Sequence, residues 1–142
     1  MLEPLDRSYL GPRKHIYCYR PQGGGCPARE FLDGLPKEAR ASYAKLFQRR
    51  CQEGQLRGET HRVWKEKGCE GLYEFKDNQS KTRLMHTTDA GNTDVLLYGF
   101  GGKKEDRVDQ VHVLAAQRFR DEYRRRRAEI EQRVRREAAR RG

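Results

Sequence analysis

Three segments in the middle of the chain carry apolar side chains in the pattern of β-strands. They read GLYEFK, TRLMH and DVLLYGF, and they fall between residues 71 and 100. The linkers at 77–80 and 89–92 have turn chemistry, because short polar side chains bond the local backbone and glycine tolerates positive φ. Linkers this short join neighbouring antiparallel strands. The pattern predicts an antiparallel meander.

One more strand and two helices are predicted ahead of the meander. Residues 15–20, HIYCYR, are rich in aromatic and β-branched side chains and stop at Pro21, as a strand does. Pro27 stands where a helix can begin, and Pro36 can start a second helix after Gly34. The apolar positions of the second helix, at steps of three and four, are Ala39, Tyr43, Leu46 and Phe47. The prediction is a two-helix hairpin with one apolar face.

A long helix is predicted to follow the meander, beginning near Asp106. Its apolar side carries Val108, Val111, Ala115, Phe119 and Tyr123. Beyond Tyr123 the apolar positions thin to Ile130 and Val134 among arginines. We expect the helix to continue there without a core partner of its own.

The chain divides into three parts by pattern. The first 14 residues show little periodicity and contain Pro4, Gly11 and Pro12, which predicts a flexible leader at 1–14. Residues 15–123 are expected to form the folded unit, and residues 124–142 an arginine-rich helical extension. A length of 142 residues suits one domain with a modest core.

The amino-acid composition limits the classes of molecule that this protein is expected to bind. A formal net charge of +10 and a pI of about 9.7 favour nucleic acid or an anionic membrane surface. The sequence has no apolar window long enough to span a bilayer and no secretory signal at its start, so a cytoplasmic protein is expected. Its four cysteines lack a C-x-x-C pair, so zinc-site spacing is absent and reduced thiols are expected.

Basic charge is concentrated at the carboxyl end. Residues 118–142 contain eleven arginines against five acidic residues. The unbroken run is Arg124, Arg125, Arg126 and Arg127. Such a run can hold RNA through its phosphates. The alternative is a solvated helix supported by ion pairs four residues apart, Glu129 with Arg133 and Glu137 with Arg141.

Each predicted strand of the meander also carries or precedes a cation. These cations are Lys76, Arg83 and the pair Lys103 and Lys104, which follows two glycines. Fixed positive charges that converge on one sheet suit a polyphosphate, and RNA is the obvious one. The sheet is therefore the first place to look for an RNA site.

The order of these segments resembles the RelE/HigB superfamily of toxins, especially its phage-derived branch. The resemblance rests on CPAREFLDGLP, GLYEFK, TRLMH and VLLYGFGGKK, followed by the helical segment 115–123, and it covers residues 15–123. It implies an α+β protein with a RelE-like toxin fold. That fold has a small antiparallel-rich sheet, an N-terminal two-helix hairpin and a long basic C-terminal helix.

The resemblance also implies an activity and partners. Such toxins enter the ribosomal A site and cut messenger RNA without a metal or other cofactor, by attack of the 2′-hydroxyl on the adjacent phosphorus. The chemistry needs a base near the 2′-oxygen, cations around the phosphorus and an acid near the leaving oxygen. The implied partners are messenger RNA, the ribosome with its RNA, and a cognate helix-turn-helix antitoxin, with no membrane.

Roles carry over from the family to the matching positions. Arg83 falls on the family's strand arginine, whose planar fork suits phosphate. The alternative for Arg83 is an ion pair with Glu74 on the neighbouring strand. Lys103 and Lys104 match the family's basic pair, with solvated loop lysines as the alternative. Lys76 stands where many relatives have arginine. The positive charge is therefore kept at this position, but the planar guanidinium group is absent.

The proton-transfer residue is assigned by the same resemblance. Relatives often use a tyrosine or histidine early in the final helix, and His112 is the nearest match here. Tyr98 and His86 are the substitutes. The expected catalytic set is Arg83, Lys103, Lys104 and His112, with RNA bound by Lys76, Arg124, Arg125, Arg126 and Arg127.

Two functions follow from these assignments. The first is a ribosome-dependent messenger RNA endoribonuclease, the toxin of a type II toxin–antitoxin pair. The second is a non-catalytic RNA-binding or phage regulatory protein on the same scaffold.

Overall fold

The computed structural model describes residues 1–54, 61–101 and 110–141, which form an α+β fold. The strands are β1 (Leu2–Pro4), β2 (His15–Tyr19), β3 (His61–Val63), β4 (Tyr73–Asp77), β5 (Thr82–Asp89) and β6 (Thr93–Gly101). The helices are α1 (Pro27–Asp33), α2 (Lys37–Glu53) and α3 (Gln110–Arg141), and a short 3-10 turn spans Arg7–Tyr9.

The described strands form one mixed sheet in the order β1-β2-β6-β5-β4-β3. β2 and β6 run parallel, and the other neighbours run antiparallel. The predicted meander is confirmed as β4, β5 and β6, and the strand predicted at 15–20 is confirmed as β2. β1 and β3 were not predicted, because a strand of three residues is too short for alternation to show.

The segment expected to be a flexible leader contains β1 and contacts the core. β1 pairs with β2, and the ring of Tyr9 lies 5.5 Å from the ring of Phe47 on α2. Leu5 packs against the same core. The segment differs from the expectation because its strand depends on pairing with β2, and local periodicity does not record pairing between distant residues.

The sheet separates two apolar cores. The core under α1 and α2 includes Ile16, Phe75, Leu84 and Leu96, and the core under α3 includes Met85, Val95 and Leu97. Phe31 of α1 approaches β6 at Gly99, where a Cβ atom would lie 2.1 Å from its ring. Strand alternation therefore decides which helix each side chain of β5 and β6 meets.

The buried side of α3 differs from the predicted one. Val111 is 64% exposed, and the buried residues are Val113, Ala116, Arg120 and Tyr123. The expected stripe was therefore wrong at Val111, and its first member, Val108, lies outside the described residues. Polar contacts set the rotation of the helix, because Arg120 donates to the carbonyl of Glu70 at 2.9 Å and Tyr123 donates to Asp89. The pattern of apolar residues in the sequence gives no information about such polar contacts.

Candidate functional site

A row of side chains crosses the sheet on the face covered by α3. Lys76, Arg83 and Phe100 are direct partners in β4, β5 and β6. His112, in the first turn of α3, stacks on Phe100 with ring centroids 4.4 Å apart and an interplanar angle of 8°. Side chains of directly paired residues lie about 5 Å apart at their Cβ atoms. The row therefore joins two cations to an imidazole at one end of the sheet.

Glu74 is a buried carboxylate beside this row. Its Oε1 accepts from Trp64 Nε1 at 2.8 Å, and Arg62 Nε and Arg83 Nη1 each lie 3.1 Å from it. Its Oε2 is buried and has no hydrogen-bond partner among the described residues. Because a buried charge is costly unless it is paired, Glu74 depends on these two arginines.

The ion pair between Arg83 and Glu74 is the alternative that the sequence left open for this arginine. Arg83 is only 8% exposed, so it is a buried side chain and not a surface one. Pairing through Nη1 fixes the orientation of the guanidinium plane, and a guanidinium has five N–H donors.

Tyr98 and His112 form a hydrogen-bonded pair beside Phe100, the strand partner of Arg83. The hydroxyl of Tyr98 and Nδ1 of His112 are 2.8 Å apart. Burial raises the pKa of Tyr98, against the smaller effect of Arg118. The bond orients the imidazole, which leaves Nε2 as the ring nitrogen for proton transfer to another group. The two residues named separately as proton donors or acceptors form one unit.

Sequence reasoning named Glu74 only as the alternative partner of Arg83, and it missed the other two contacts of this carboxylate, Trp64 and Arg62. Trp64 is buried, at 3% exposure, and its indole nitrogen donates to Glu74. The sequence did indicate that Glu74 lies on the same face of the sheet as Lys76, because the two residues are two positions apart in one strand. Arg62 gave no such signal because it lies on the unpredicted β3.

Lys103 and Lys104 lie outside the described residues. Gly101, the last described residue before them, is paired with Thr82, the neighbour of Arg83 in β5. The assignment of the lysine pair to the catalytic set stays a prediction.

The run from Arg124 to Arg127 holds α3 against the rest of the fold. Arg124, Arg126 and Arg127 each donate to an acceptor outside the helix. The acceptors are Glu70 O at 3.2 Å, Arg20 O at 2.7 Å and Asp89 Oδ2 at 3.0 Å. The guanidinium of Arg126 also lies 5.6 Å from the centre of the Tyr19 ring. Arg125 is exposed. Three of the four arginines in this run, which were predicted to bind RNA together with Lys76, therefore have intramolecular roles.

A second polar cluster lies on the opposite face of the sheet, against α2. Arg50 donates to both oxygens of Asp94, from Nε at 2.7 Å and from Nη2 at 3.2 Å, and both residues are buried. His86 places Nδ1 3.7 Å from Asp94 and Nε2 2.9 Å from Nε2 of His61. His86 is thus no substitute for His112, since residues an odd number apart in a strand face opposite sides and His86 is three residues from Arg83.

Burial keeps both histidines of this cluster neutral at neutral pH. It lowers the pKa of His86 to about 4, with Asp94 opposing the shift and Arg50 adding to it. Burial and then the neighbouring His86 lower the pKa of His61 to about 3. Burial alone would raise the pKa of Asp94, but His86 and Arg50 hold it below its ordinary value. One neutral ring donates and the other accepts in the bond that they share.

Stability is expected to fall as the pH drops below about 6.5, where an unfolded histidine takes up a proton. Folded His86 does so only near pH 4, so acid favours the unfolded state. His86 alone should lower the free energy of unfolding by about 2 kcal/mol between about pH 7.5 and about pH 5. Urea denaturation at the two pH values measures this loss. The double variant His61→Phe/His86→Phe should lose less, and an equal loss in that variant would contradict the assignment.

No helix in the described ranges combines the length and the apolar character needed to cross a membrane. Those ranges also bring together no group of three or more histidine, cysteine, aspartate or glutamate side chains able to hold a metal ion. No protein-family model matches the chain, and no curated protein matches it significantly.

Proposed function

We propose that the chain is a ribosome-dependent messenger RNA endoribonuclease with a RelE-like toxin fold, the toxin of a type II toxin–antitoxin pair. The observation that carries the proposal is the row Lys76–Arg83–Phe100–His112 across one face of the sheet. It brings two permanent or near-permanent cations to a hydrogen-bonded imidazole. The RelE-like fold, with α1 and α2 as its N-terminal hairpin, is part of the same proposal.

The row suits cleavage by the RNA's own 2′-hydroxyl. The 2′-oxygen attacks the adjacent phosphorus as the bond from phosphorus to the 5′-oxygen breaks, which leaves a cyclic phosphate and a free 5′-hydroxyl. Negative charge grows on the phosphoryl oxygens during the attack, and Arg83 and Lys76 stabilise it. One proton leaves the 2′-hydroxyl and one joins the 5′-oxygen. His112, oriented by Tyr98, serves one of these transfers.

The proposed partners follow from the same reaction. Messenger RNA is the substrate, and the ribosome supplies the A site in which the RNA is bent. A helix-turn-helix antitoxin is expected to block the toxin between periods of activity. No cofactor and no membrane take part in the proposal.

A second candidate function is favoured by one specific observation. Arg83 is 8% exposed and its Nη1 is engaged by Glu74. A side chain committed to a buried ion pair suits a scaffold that binds RNA without cutting it. A non-catalytic RNA-binding or phage regulatory protein is therefore the alternative.

The two candidates differ in what they do to translated messages. The purified chain is added to ribosomes programmed with a defined message, and new 5′ ends are mapped. Codon-phased ends with a 5′-hydroxyl are the expected result. Message that is bound without new ends would instead establish the RNA-binding alternative.

Replacing His112 with glutamine is expected to slow single-turnover cleavage by about 10²-fold, because one positioned proton transfer is lost. His15→Gln is the matched control, since His15 lies on β2 outside the row. Thermal denaturation of both variants checks that the fold is kept. Equal rates in the wild type and the His112 variant would move proton transfer to another residue.

A further inference from the structure

The carboxyl-terminal half of α3 extends beyond the rest of the fold. Residues 128–141 are exposed at every position, and the last contacts to the sheet are those of Arg126 and Arg127. At about 1.5 Å per residue, these 14 residues reach about 21 Å from that point. An isolated helix of this length is marginal in water, so its docked first half stabilises it.

The projecting half lacks the apolar seam of a coiled coil. Its large apolar residues are Ile130 and Val134 alone, whereas a stable coiled coil repeats two apolar positions over three or more heptads. It also lacks the broad apolar face of a helix that lies in a membrane surface. A second copy of this chain and a lipid surface are therefore poor occupants.

A row of arginines lies along one side of the projecting half. Arg133, Arg136 and Arg140 follow each other at steps of three and four residues, which places them within about 60° of one another on a helix. All three are exposed, and none has a hydrogen bond or ion pair within the part of the chain that the structure describes. Glu129 lies about one turn before the row.

The composition of this half favours phosphates over bases. Arginine binds phosphate through two parallel N–H donors. Residues 128–141 contain no aromatic side chain, so this half of the helix offers no ring on which the bases of a single strand could stack. Contacts to phosphates alone suit a duplex that is recognised by its shape and backbone.

We infer that the arginine row Arg133–Arg136–Arg140 is a docking surface for the phosphate backbone of double-helical RNA. The inference rests on the proposed function, because it names ribosomal RNA helices as the second contact of an enzyme that cuts message in the A site. The predicted RNA-binding arginines are therefore those of the exposed part of the helix. Most of the run at 124–127 holds α3 in place instead.

Binding to an RNA duplex without loops tests the row. Fluorescence anisotropy with a duplex of about 20 base pairs is measured over a range of salt concentrations, using the full chain. The variant Arg133→Gln/Arg136→Gln/Arg140→Gln should reduce the slope of log K against log salt by about one per arginine. Affinity at about 0.1 M salt should fall at least about tenfold.

A matched variant separates a local contact from a general effect of charge. Arg7→Gln/Arg40→Gln/Arg49→Gln removes the same three charges from exposed positions on the main body. It should leave the salt slope within about one of the wild type. Equal losses in the two variants, or no loss in the row variant, would overturn the inference.

Two further measurements separate this inference from its alternatives. Far-UV circular dichroism reports whether the row variant stays helical, and Arg133→Lys/Arg136→Lys/Arg140→Lys keeps the charge, so it should retain the salt slope. Duplex binding is repeated in Arg83→Gln, where it should persist. Row-dependent binding without any message cleavage would reject the nuclease and leave the docking surface. Cleavage of message, together with duplex binding that does not depend on the arginine row, would instead support the nuclease and reject the docking surface.

Discussion

Replacing Arg50 with methionine is expected to lower the free energy of unfolding by about 3–5 kcal/mol near pH 8, measured by urea denaturation. Arg50 is buried and holds both oxygens of Asp94, which is 0% exposed. Methionine keeps much of the side-chain volume and removes the charge. The cost arises because Asp94 stays in a buried position without its strongest partner.

The same variant should be less impaired in mild acid. Arg50 is one cause of the lowered pKa of His86, and Asp94 opposes that lowering. Without Arg50 the pKa of His86 rises, and a protonated His86 then compensates Asp94. The stability difference from the wild type should therefore shrink between about pH 8 and about pH 5.5.

Arg49→Met serves as the control for this change, since Arg49 is the exposed neighbour of Arg50 on α2. Surface substitutions of this kind change stability by less than about 0.5 kcal/mol. A loss at Arg50 that matched the loss at Arg49, or that grew in acid, would show that the cluster does not carry the expected electrostatic energy.

Replacing Arg83 with glutamine is expected to reduce the single-turnover rate of message cleavage by about 10²- to 10³-fold. In the proposed reaction Arg83 stabilises charge that develops on the phosphoryl oxygens. Glutamine retains a donor for Glu74 but lacks the charge and the planar fork. Arg83→Lys keeps the charge alone and should be intermediate, because lysine cannot contact two oxygens with a rigid fork.

Arg62→Gln is the matched control for Arg83. Arg62 lies 3.1 Å from the same oxygen of Glu74 that Arg83 contacts, but its side chain is 47% exposed. If Arg83 matters only as a partner of Glu74, the two variants will show parallel losses of melting temperature and of cleavage rate. A large rate loss in the Arg83 variant alone, at comparable melting temperatures, is the outcome that the proposal requires.

The candidate site shows where prediction from sequence succeeded and where it stopped. Strand segments and turn residues located β4, β5 and β6, so the sequence predicted that Lys76 and Arg83 lie on adjacent strands. Their direct pairing is a matter of register, which the structure supplied. The link between Tyr98 and His112 did not follow, because it depends on how α3 crosses the sheet. The same holds for the contacts of Glu74 with Arg62 and Trp64, which come from the short β3 region and not from the neighbouring predicted strand.

The basic helix gives a second instance. The arginines of α3 and its helical pattern can both be recognised from the sequence. Whether an arginine meets RNA or a carbonyl of its own chain depends on which residues lie opposite it in space. Arg126 donates to Arg20, 106 positions away, and no local pattern encodes that contact.

The sequence by itself determined the strand and helix segments of the middle of the chain, the strong basic charge and the cations borne on adjacent strands. These depend on local backbone preference and on composition, which neighbours in the chain suffice to set. Only the tertiary structure decided which helix covers each face of the sheet, and that most of the run at 124–127 anchors α3. Those outcomes depend on packing between residues far apart in the chain, where a side chain's partner is set by distance in space.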